Sequence, residues 1–523
     1  MPKLKNINST DLRGAIVLGC RTMQRVFNAD DNDIPFFKSQ LVPQASLKFN
    51  HWHSESHVPG RHLNALLTAE AVTGIELDEE AVQKHARAAF FSFSGKLALP
   101  LNRDRRDGPL VNFLPHNLRE GMHALYALAR YRDCPQARET AQDMIGAVFE
   151  HWRPDRRWDP RAFDRRGLVL VGNDNFIFGE ARLIGPLVKY YRATGYGPAL
   201  DLALVLSDKA IGEFFLENGE YDPNIFGSHV HSATCVMSSL AQLADLTRDA
   251  SLMQRVRAFY DNGLWGVRDE LGWSIESSIC PDEATDQGES NNTGDILETA
   301  LILGRWGYPQ YFHDAERILR GHLLPSQLRD TSFVVDPPNP EGADGKRHLA
   351  DRHLGAFGVP ASYGHRPIGI ERVVFNMDIV GGVVGSLCEA VREAVRFDEA
   401  GHRVNLLFDL DTPTIQLDSP YTHGQLRVRL KRPGAAFVRI PPWADRQAMS
   451  ISPTEAPLRF TRDYLFLASP QVDQPITIGF ERPLQELVLK HRRRAIRVRM
   501  RGDEVLAMDN FGADLTFFNP YDG

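Results

Sequence analysis

The apolar positions in the first two thirds of the chain recur at helical spacing. From Asp11 to Phe27 they fall about three or four residues apart, which predicts an amphipathic helix with Ser9 or Thr10 as its N-cap. Further along, one arrangement repeats: an Ala- and Leu-rich amphipathic run, a short polar or glycine-containing turn, and a second amphipathic run. The turns lie at residues 73–75, 131–133, 194–196, 247–249 and 306–308.

These turns are about 60 residues apart, which is longer than the roughly 34 to 47 residues of tetratricopeptide or armadillo repeats. The period suits pairs of helices of about 15 to 20 residues with loops between them. The turns and the additional N-terminal helix predict six helical hairpins that close into an all-α (α/α)6 barrel, or toroid. An open α-solenoid is the alternative. The loops are rich in His, Trp and carboxylates, as a central pocket requires, and this favours closure.

The pattern changes beyond residue 325. Residues 325–372 are rich in Pro, Gly and Asp and indicate a long irregular segment. A last helix is predicted from Val380 to Phe397, and after it apolar and polar residues alternate in short runs broken by Pro and Gly. This alternation predicts an antiparallel β-sandwich. The chain is therefore predicted to have a helical domain at residues 1–398 and a β-sandwich domain at residues 399–523.

The composition is that of a globular protein and narrows the class of partner. Hydrophobic residues make up 43% of the 523 residues and charged residues 24%, which excludes a disordered, collagen-like or disulfide-stapled chain. A formal net charge of −7 argues against a nucleic-acid or anionic-membrane partner. Five scattered cysteines, no signal-peptide pattern and no apolar membrane segment predict a cytoplasmic protein. The sequence leaves open whether the chain forms a homo-oligomer.

Carboxylates are concentrated between Trp265 and Glu298. This stretch contains Glu276, Asp282, Glu283, Asp286 and Glu289, together with Trp273, and it leads into a helix with apolar periodicity. Glycoside hydrolysis needs one carboxyl group that protonates the leaving oxygen and another that activates water or attacks the anomeric carbon. A nearby Trp supplies apolar surface that raises a carboxyl pKa and stacks on a sugar ring. The alternative interpretation is a solvated acidic loop whose carboxylates cap a helix.

Histidine-containing motifs supply further candidate polar groups. Residues 50–62 contain four His, a Trp and an Arg just before a predicted helix, and their spacing is not that of an HExxH zinc motif. His116 and Arg119 lie at the start of another predicted helix, where they either bind a ligand or cap the helix. Residues 179–182 are interpreted as part of an ion pair between hairpins. The chain has no GxGxxG after a strand, no GxxxxGK[ST] and no GxSxG, so the usual loops of nucleotide, phosphate and serine-hydrolase chemistry are missing.

Three segments resemble the β-L-arabinofuranosidase family, glycoside hydrolase family 127. Residues 289–297, Glu-Ser-Asn-Asn-Thr-Gly-Asp-Ile-Leu, and the later Asp314-Ala-Glu-Arg317 resemble the family's Glu-Thr-Cys helix and its Asp-x-x-Glu-Arg ending. Residues 380–408 resemble its last barrel helix and first sandwich strand, and Arg439-Ile-Pro-Pro-Trp443 resembles its Arg-Ile-Pro-x-Trp strand. The resemblance, over residues 50–480, implies an (α/α)6 barrel followed by a β-sandwich, with a pocket at the mouth of the barrel.

The resemblance also implies a cysteine nucleophile held on zinc by one Glu and three Cys. Glu289 stands at the position of the metal-binding Glu, but Asn291 replaces the Cys two residues on, and Phe375-Asn376 replaces the Cys-Cys pair. The implied zinc site and thiolate are therefore missing, and we expect no metal and no other cofactor. The family's acid/base Glu lies upstream of its Glu-Thr-Cys, and Glu276 is the closest match. This chain would have to work with carboxylates alone.

We therefore predict a glycoside hydrolase that acts on the end of a small oligosaccharide, with Glu276 as general acid and Glu289 as second carboxylate. The residues predicted to line the sugar pocket are His51, Trp52, Arg61, His116, Arg119, His229, His231 and Trp273, with Asp286 and Asp378 as reserve carboxylates. One alternative is a lyase for uronate-containing glycans, in which a His removes the proton next to the carboxylate. The others are a sugar epimerase that uses paired His and a non-catalytic carbohydrate-binding protein.

Overall fold

The computed structural model of the chain describes residues 3–155, 157–172, 175–278, 287–453, 458–489 and 494–522. Its longer helices, numbered here in chain order, are α1 (Leu12–Met23), α2 (Val58–Thr73), α3 (Glu79–Ser92), α4 (Leu118–Tyr131), α5 (Pro135–His151), α6 (Ile184–Thr194), α7 (Gly197–Glu213), α8 (Val230–Thr247), α9 (Ala250–Asp261), α10 (Ser290–Arg305), α11 (Gln310–Ile318) and α12 (Met377–Ala394). The first helix is capped by Asp11, which accepts a hydrogen bond from the backbone N–H of Gly14, and not by Ser9 or Thr10.

The even-numbered helices form a closed ring. Each packs against the next even-numbered helix in the chain, from α2 to α12, and α12 packs back against α2. At this last contact Gly381 is so close to Arg61 that an added Cβ would lie 2.9 Å from the Arg61 backbone. The chain of contacts therefore returns to its start, as a ring requires and an open superhelix does not allow.

The odd-numbered helices lie outside the ring. α1 packs on α12 and α2, α3 on α2 and α4, and α9 on α8 and α10, while α5, α7 and α11 pack on α4, α6 and α10. Ring helices are buried along most of their length, whereas outer helices bury one face. Gly74 and Gly195, with φ of 66° and 72°, cap the C-terminal ends of α2 and α6, where the sequence predicts turns.

Three short strands lie beside the ring. They are β1 (Lys38–Val42), β2 (Ser46–Lys48) and β3 (Val373–Val374), and they pair in the antiparallel order β2-β1-β3. Two further small sheets are formed by Leu101–Arg103, Leu110–Phe113 and Val169–Leu170, and by Trp152–Arg153 and Arg157–Trp158.

The strands that follow α12 form three more sheets. They are β4 (Val395–Asp398), β5 (Gly401–Val404), β6 (Leu410–Asp411), β7 (Ile415–Asp418), β8 (Leu426–Leu430), β9 (Ala436–Arg439), β10 (Ser450–Ser452), β11 (Phe460–Thr461), β12 (Tyr464–Leu467), β13 (Ile476–Gly479), β14 (Leu484–Leu489), β15 (Ile496–Arg501), β16 (Glu504–Met508) and β17 (Asn519–Pro520). The strand orders are β11-β12-β9-β5-β4, β6-β7-β8-β13-β10 and β14-β15-β16-β17.

The first two of these sheets share one apolar core. Val404 and Val438 from one sheet and Val428 and Ile478 from the other belong to the same buried cluster. Within these two sheets pairing is antiparallel except between β5 and β9, which are parallel. β5 ends at Val404, whereas the family resemblance implies a first sandwich strand that extends to Phe408. The third sheet contributes its buried residues to the core of the helices instead.

Two segments that resemble family motifs meet where the helices contact the sheets. Glu316 of α11 is fully buried, accepts a hydrogen bond from Arg320 at 3.0 Å, and pairs with Arg439 of β9. Trp443 donates to Asp503 at 3.0 Å, and Arg317 lies 3.4 Å from the same carboxylate. These motif residues therefore join the helical and sheet regions.

The segment 325–372 is mostly irregular, as predicted, and covers the start of α10. The backbone N–H of Ser290 donates to the carbonyl of Gly358 at 3.1 Å, and that of Gly288 donates to the carbonyl of Pro360 at 2.9 Å. Among the described residues, no helix combines the length and the apolar character that crossing a membrane requires.

Candidate active site

Polar side chains from all six ring helices meet where these helices begin. The contributing residues are His57 and Arg61 (α2), His116, Arg119 and Glu120 (α4 and the turn before it), Arg182 (just before α6), His229 and His231 (α8), Glu289 and Asp295 (α10) and Asp378 (α12). The contacts between these side chains, given below, place the N-terminal ends of the ring helices around one site. Helix N-termini carry partial positive charge, which favours carboxylates there.

Glu120 is the fixed anion of the site. Its carboxylate is fully buried, accepts a hydrogen bond from Arg182 at 2.9 Å, and lies 3.2 Å from Arg61 and 3.3 Å from Arg119. Burial alone would raise the pKa of Glu120, but the positive charges of Arg182, His57 and Arg61 hold it well below its ordinary value. Glu120 is therefore ionised and serves to orient three guanidinium groups.

Asp378 is the second ionised carboxylate. It accepts a hydrogen bond from Nε2 of His57 at 3.2 Å and lies 3.5 Å from Nε of Arg61. Burial opposes ionisation here, but the His57 hydrogen bond and the Arg61 charge lower the pKa of Asp378 to about 2. The other ring nitrogen of His57 is 2.9 Å from Oδ1 of Asn117, which fixes the ring.

Glu289 lies between two histidines and retains its proton. Its carboxyl oxygens are 3.9 Å from Nε2 of His229 and 3.7 Å from Nδ1 of His231, and Asn291 donates to Oε1 at 2.8 Å. The pKa of Glu289 is raised to about 8, mainly by burial and in addition by the charges of Asp378 and Glu276. At neutral pH this buried carboxyl group therefore carries a proton that it can give to a substrate.

The outer nitrogens of the two histidines are also held. Nδ1 of His229 is 2.8 Å from the Ser232 hydroxyl, and Nε2 of His231 is 3.4 Å from Asp295. Burial lowers the pKa of both histidines, so both rings are neutral at pH 7. A neutral imidazole with one fixed nitrogen presents the other to a ligand as a donor or an acceptor.

Glu276 lies beside this group, and its side chain lines a cleft. Its backbone carbonyl accepts from Val230 at the start of α8, its backbone N–H donates to Gln287, and its side chain accepts a hydrogen bond from the Gln287 amide. Burial raises the pKa of Glu276, while the charge of Arg372 opposes that rise. Glu276 and Gln287 line a cleft of 250 Å³ together with β1, β2 and β3.

The structure brings together most of the residues predicted from the sequence. Glu289, Glu276, His229, His231, Arg61 and Asp378 form the site just described, and His116 stacks on His57 with ring centroids 5.3 Å apart. Arg119 joins the same group through Glu120 and through Asp295 at 3.8 Å. His51 and Trp52 are exposed and form an edge-to-face pair. Asp286 lies outside the described residues.

The expectation that Trp273 stacks on a sugar is not met. Trp273 is 2% exposed, its indole donates to the carbonyl of Pro360 at 2.8 Å, and its surroundings are the core of the helices. Only two residues separate it from Glu276 in sequence, but Trp273 is buried in the core, whereas Glu276 lines the cleft. Trp273 supports the local fold and has no surface to offer a substrate.

Sequence reasoning did not assign Glu120, His57 or Asp295 to the site. A usable signal exists, because His57 and Arg61 are four residues apart, as are His116 and Glu120, and this spacing places each pair on one helix face. Arg182 does form an ion pair between hairpins, as interpreted from the sequence, and its partner is Glu120.

The zinc site implied by the family resemblance does not fit these residues. Asn291 occupies the place of one thiolate and uses its amide to donate to Glu289. Among the described residues one group could offer a metal three donor atoms, His229, His231 and Glu289, whose ligand atoms lie within 4.8 Å of one another. Arg61 lies 3.4 Å from Nε2 of His231, and its positive charge disfavours a divalent cation beside that ring.

Comparison by sequence finds no match for this chain, whereas comparison by structure finds proteins with a similar fold. No family model and no curated protein matches the sequence. A family 127 β-L-arabinofuranosidase from Geobacillus stearothermophilus T6 is similar over 94% of this chain and 80% of that one, with 13% identity and a TM-score of 0.58. A sugar epimerase from a ruminal bacterium is similar over 74% and 98%, with 10% identity and a TM-score of 0.54.

A third similar structure is the unsaturated glucuronyl hydrolase from Bacillus sp. GL1, over 72% of this chain and 96% of that one, with 14% identity and a TM-score of 0.50. The chain therefore has the fold class of these carbohydrate-active enzymes. The resemblance to family 127 drawn from the sequence motifs is confirmed at the level of the fold.

Proposed function

We propose that the protein is a glycoside hydrolase that uses Glu276 and Glu289 as its catalytic pair. The observation that carries this proposal is the meeting of two carboxyl groups with raised pKa values, beside two neutral histidines, where six ring helices begin. Glycosidases need two such groups in different protonation states around the scissile bond. The fold shared with a β-L-arabinofuranosidase supports the same reaction class.

For the architecture we propose an (α/α)6 barrel, residues 1–398, followed by a β-sandwich, residues 399–523. The closed ring of even-numbered helices with the odd-numbered helices outside supports the barrel. The common core of two five-stranded sheets supports the sandwich. In this arrangement the last sheet returns to the barrel, and the polar site lies at one end of the ring.

Within the pair, we assign the proton donor to Glu289 and the second role, base or nucleophile, to Glu276. Sequence position alone suggests the reverse. Glu289 is the more deeply buried of the two, and its pKa is raised to about 8. Burial also raises the pKa of Glu276, but the charge of Arg372 opposes this rise. The carboxyl group with the higher pKa keeps its proton until the leaving oxygen takes it, while the other ionises first.

The remaining residues are assigned to binding the sugar. His229, His231 and His116 offer ring nitrogens, and Arg61 and Asp378 offer a charged donor and acceptor, all suited to sugar hydroxyls. Residues 358–360 cover the start of α10 through two backbone hydrogen bonds, which supports a closed end and an exo mode of action on small oligosaccharides. Trp52 is exposed, and its backbone carbonyl accepts a hydrogen bond from Asn117, which also holds His57. We assign its indole to stacking on a second sugar unit.

The test is product analysis with a panel of aryl glycosides and uronate-containing oligosaccharides. Release of a reducing sugar, without an unsaturated ultraviolet-absorbing product, is the expected result. An unsaturated product would instead identify the lyase, and interconversion of sugars without cleavage would identify the epimerase. Measurable binding of a panel member without any product would instead identify a non-catalytic carbohydrate-binding protein. The variants Glu289→Gln and Glu276→Gln are the controls for contaminating activity.

A further inference from the structure

The cleft beside Glu276 is lined by an excess of positive charge. Lys38, Lys48 and Arg372 line it together with Glu276, Gln287 and Asn376. Among the described residues that line the cleft, three cations thus face one carboxyl group, although the chain as a whole has a formal charge of −7. The excess is therefore a local property of this cleft and does not follow from the composition.

Two of these cations are placed side by side by strand pairing. Lys38 of β1 and Lys48 of β2 are direct cross-strand partners, and both are exposed. Like charges directly opposite each other destabilise an antiparallel pair. An arrangement that costs stability and borders a candidate active site suggests that an anion is bound there during function.

The third cation approaches from the other side of β1. Arg372 directly precedes β3, which pairs with β1, and its charge acts on Glu276. Within the described part of the chain, none of the three cations forms an ion pair with a carboxylate. All three side chains line the cleft, where a bound ligand would contact them.

We propose that this cleft binds the carboxylate of a uronic acid, so that the substrate is an anionic and not a neutral glycoside. The inference rests on the proposed function and specifies its substrate class. Arg372 supplies a planar group that matches a carboxylate, and the two lysines supply point charges around it. The volume of 250 Å³ lies just below the roughly 300 Å³ of the smallest drug-sized pockets, which suits one sugar ring.

The test compares matched nitrophenyl glycosides: glucuronides and galacturonides against the corresponding glucosides and galactosides, in both anomers. We expect kcat/KM for one uronide to exceed that of its neutral partner at least about tenfold, with KM for the uronide rising as salt is added. A sulfated sugar of the same series forms a third arm. Its preference over the uronide would overturn the assignment of a carboxylate.

Charge variants locate the effect. Lys38→Gln and Lys48→Gln should each lower kcat/KM for the uronide about three- to tenfold, mainly through KM, and leave the neutral glycoside unchanged. Arg372→Gln should lower kcat/KM for both glycosides, because its charge also acts on Glu276, and should lower that of the uronide more. Lys38→Arg keeps the charge and should retain wild-type preference. Arg13→Gln removes an equally exposed charge on α1 and is the matched control.

A binding measurement separates this inference from the proposed function. Calorimetry uses the Glu289→Gln variant with alkyl uronides and alkyl neutral glycosides, whose turnover this variant slows about 10²- to 10⁴-fold, and it therefore reports binding. Uronide binding that weakens in the Lys38→Gln background supports the anion site even if no glycoside is hydrolysed, and in that case only the proposed function fails. The anion site alone is overturned if neutral glycosides are hydrolysed at rates equal to or above those of uronides and the uronide rates are unaffected by Lys38→Gln and Lys48→Gln.

Discussion

At the scale of single residues, burial and neighbouring charges give chemically similar carboxyl groups different protonation states. Asp378 and Glu120 are ionised because guanidinium groups and His57 face them. Glu289 is protonated because it is buried among neutral rings and near other carboxylates. The site therefore contains fixed anions that hold the arginines and a separate carboxyl group that holds a proton, which is the division of labour that acid catalysis requires.

The first prediction concerns pH. A proton donor works below its pKa, so kcat/KM should fall as pH rises above about 8 if Glu289 is the donor. The groups that act on Glu289 are His229, His231, Asn291, Glu276, Asp378 and Arg61. The measurement is the pH profile of kcat/KM for the wild type and for Glu289→Gln, whose residual activity should lack this decline.

Glu180→Gln is the matched control for the pH experiment. Glu180 is also a buried carboxyl group, with its pKa raised by burial to about 7, but it accepts a hydrogen bond from Trp158 away from the site. Its replacement should leave the alkaline decline in place. An alkaline decline that persists unchanged in Glu289→Gln would contradict the assignment of Glu289.

The second prediction concerns metal. Because no thiolate stands at Asn291 or at Phe375-Asn376, and because Arg61 faces His231, we expect no stoichiometric zinc and full activity after dialysis against a strong chelator. Elemental analysis of the purified protein and an activity assay before and after dialysis provide the measurement. One tightly held zinc per chain, with activity lost on its removal, would show that His229, His231 and Glu289 form a metal centre.

At the scale of secondary-structure elements, the close approach of the ring helices depends on glycines at their contacts. An added Cβ at Gly60 of α2 would lie 1.8 Å from the carbonyl oxygen of Glu120 in α4, and one at Gly294 of α10 would lie 2.7 Å from the hydroxyl of Ser386 in α12. The helices that carry the site are thereby held at distances that let side chains from different helices touch.

The third prediction follows from this packing. Gly60→Ala should destabilise the protein by about 1–3 kcal/mol or more, because the obstacle is backbone that cannot move aside without shifting a helix. Gly146→Ala in α5, where nothing lies within 4 Å of the added Cβ, should instead stabilise by about 0.5–1 kcal/mol through helix propensity. Urea unfolding of both variants is the measurement. Equal effects of the same sign would contradict the packing argument.

The sequence predicted elements well where the signal is local. Turns such as those at Gly74 and Gly195 are recognisable because a helix ends there in a left-handed residue. Boundaries were less accurate, since α12 begins at Met377 and not at Val380, and Asp11 replaces Ser9 or Thr10 as the first cap. The parallel pairing of β5 and β9 has no local signal, because it depends on which strands meet after the chain has folded.

The candidate site was predictable only in part for a similar reason. Glu276 and Glu289 stand out because they lie in one short acidic stretch. Glu120 gains its importance from Arg61 and Arg182, which are distant in sequence and reach it only when the ring closes. Trp273 was misassigned because nearness in sequence to Glu276 does not determine which way the indole faces.

At the scale of the whole molecule, a buried ionic cluster fixes the sheets to the helices. Both side-chain oxygens of Glu316 are used: one accepts from Arg320 at 3.0 Å, and the other pairs with Arg439 and accepts the backbone N–H of Leu407 at 3.2 Å. Arg320 also donates to the carbonyl of Leu407 at 2.9 Å. The helical and sheet regions are thus predicted to unfold together.

The fourth prediction tests this junction. Glu316→Gln keeps the size of the side chain but leaves two buried guanidinium groups without their counter-ion, so it should cost about 3–5 kcal/mol of stability. Glu341→Gln, at an exposed position, should change stability by less than about 0.5 kcal/mol. Urea unfolding followed by far-ultraviolet circular dichroism and by tryptophan fluorescence is the measurement. Wild-type stability in Glu316→Gln would contradict a structural role for the cluster.

The central claim, hydrolysis by the Glu289 and Glu276 pair, is tested most directly by the dependence of rate on the leaving group. Rates are measured for nitrophenyl and alkyl glycosides with wild type, Glu289→Gln and Glu276→Gln, after circular dichroism has established that each variant is folded. Loss of the donor should slow alkyl glycosides about 10²- to 10⁴-fold and nitrophenyl glycosides far less, because only a poor leaving group needs the proton. We predict this pattern for Glu289→Gln and a uniform loss for Glu276→Gln. The reverse pattern would contradict the assignment of the two roles, and wild-type rates in both folded variants would contradict the claim itself.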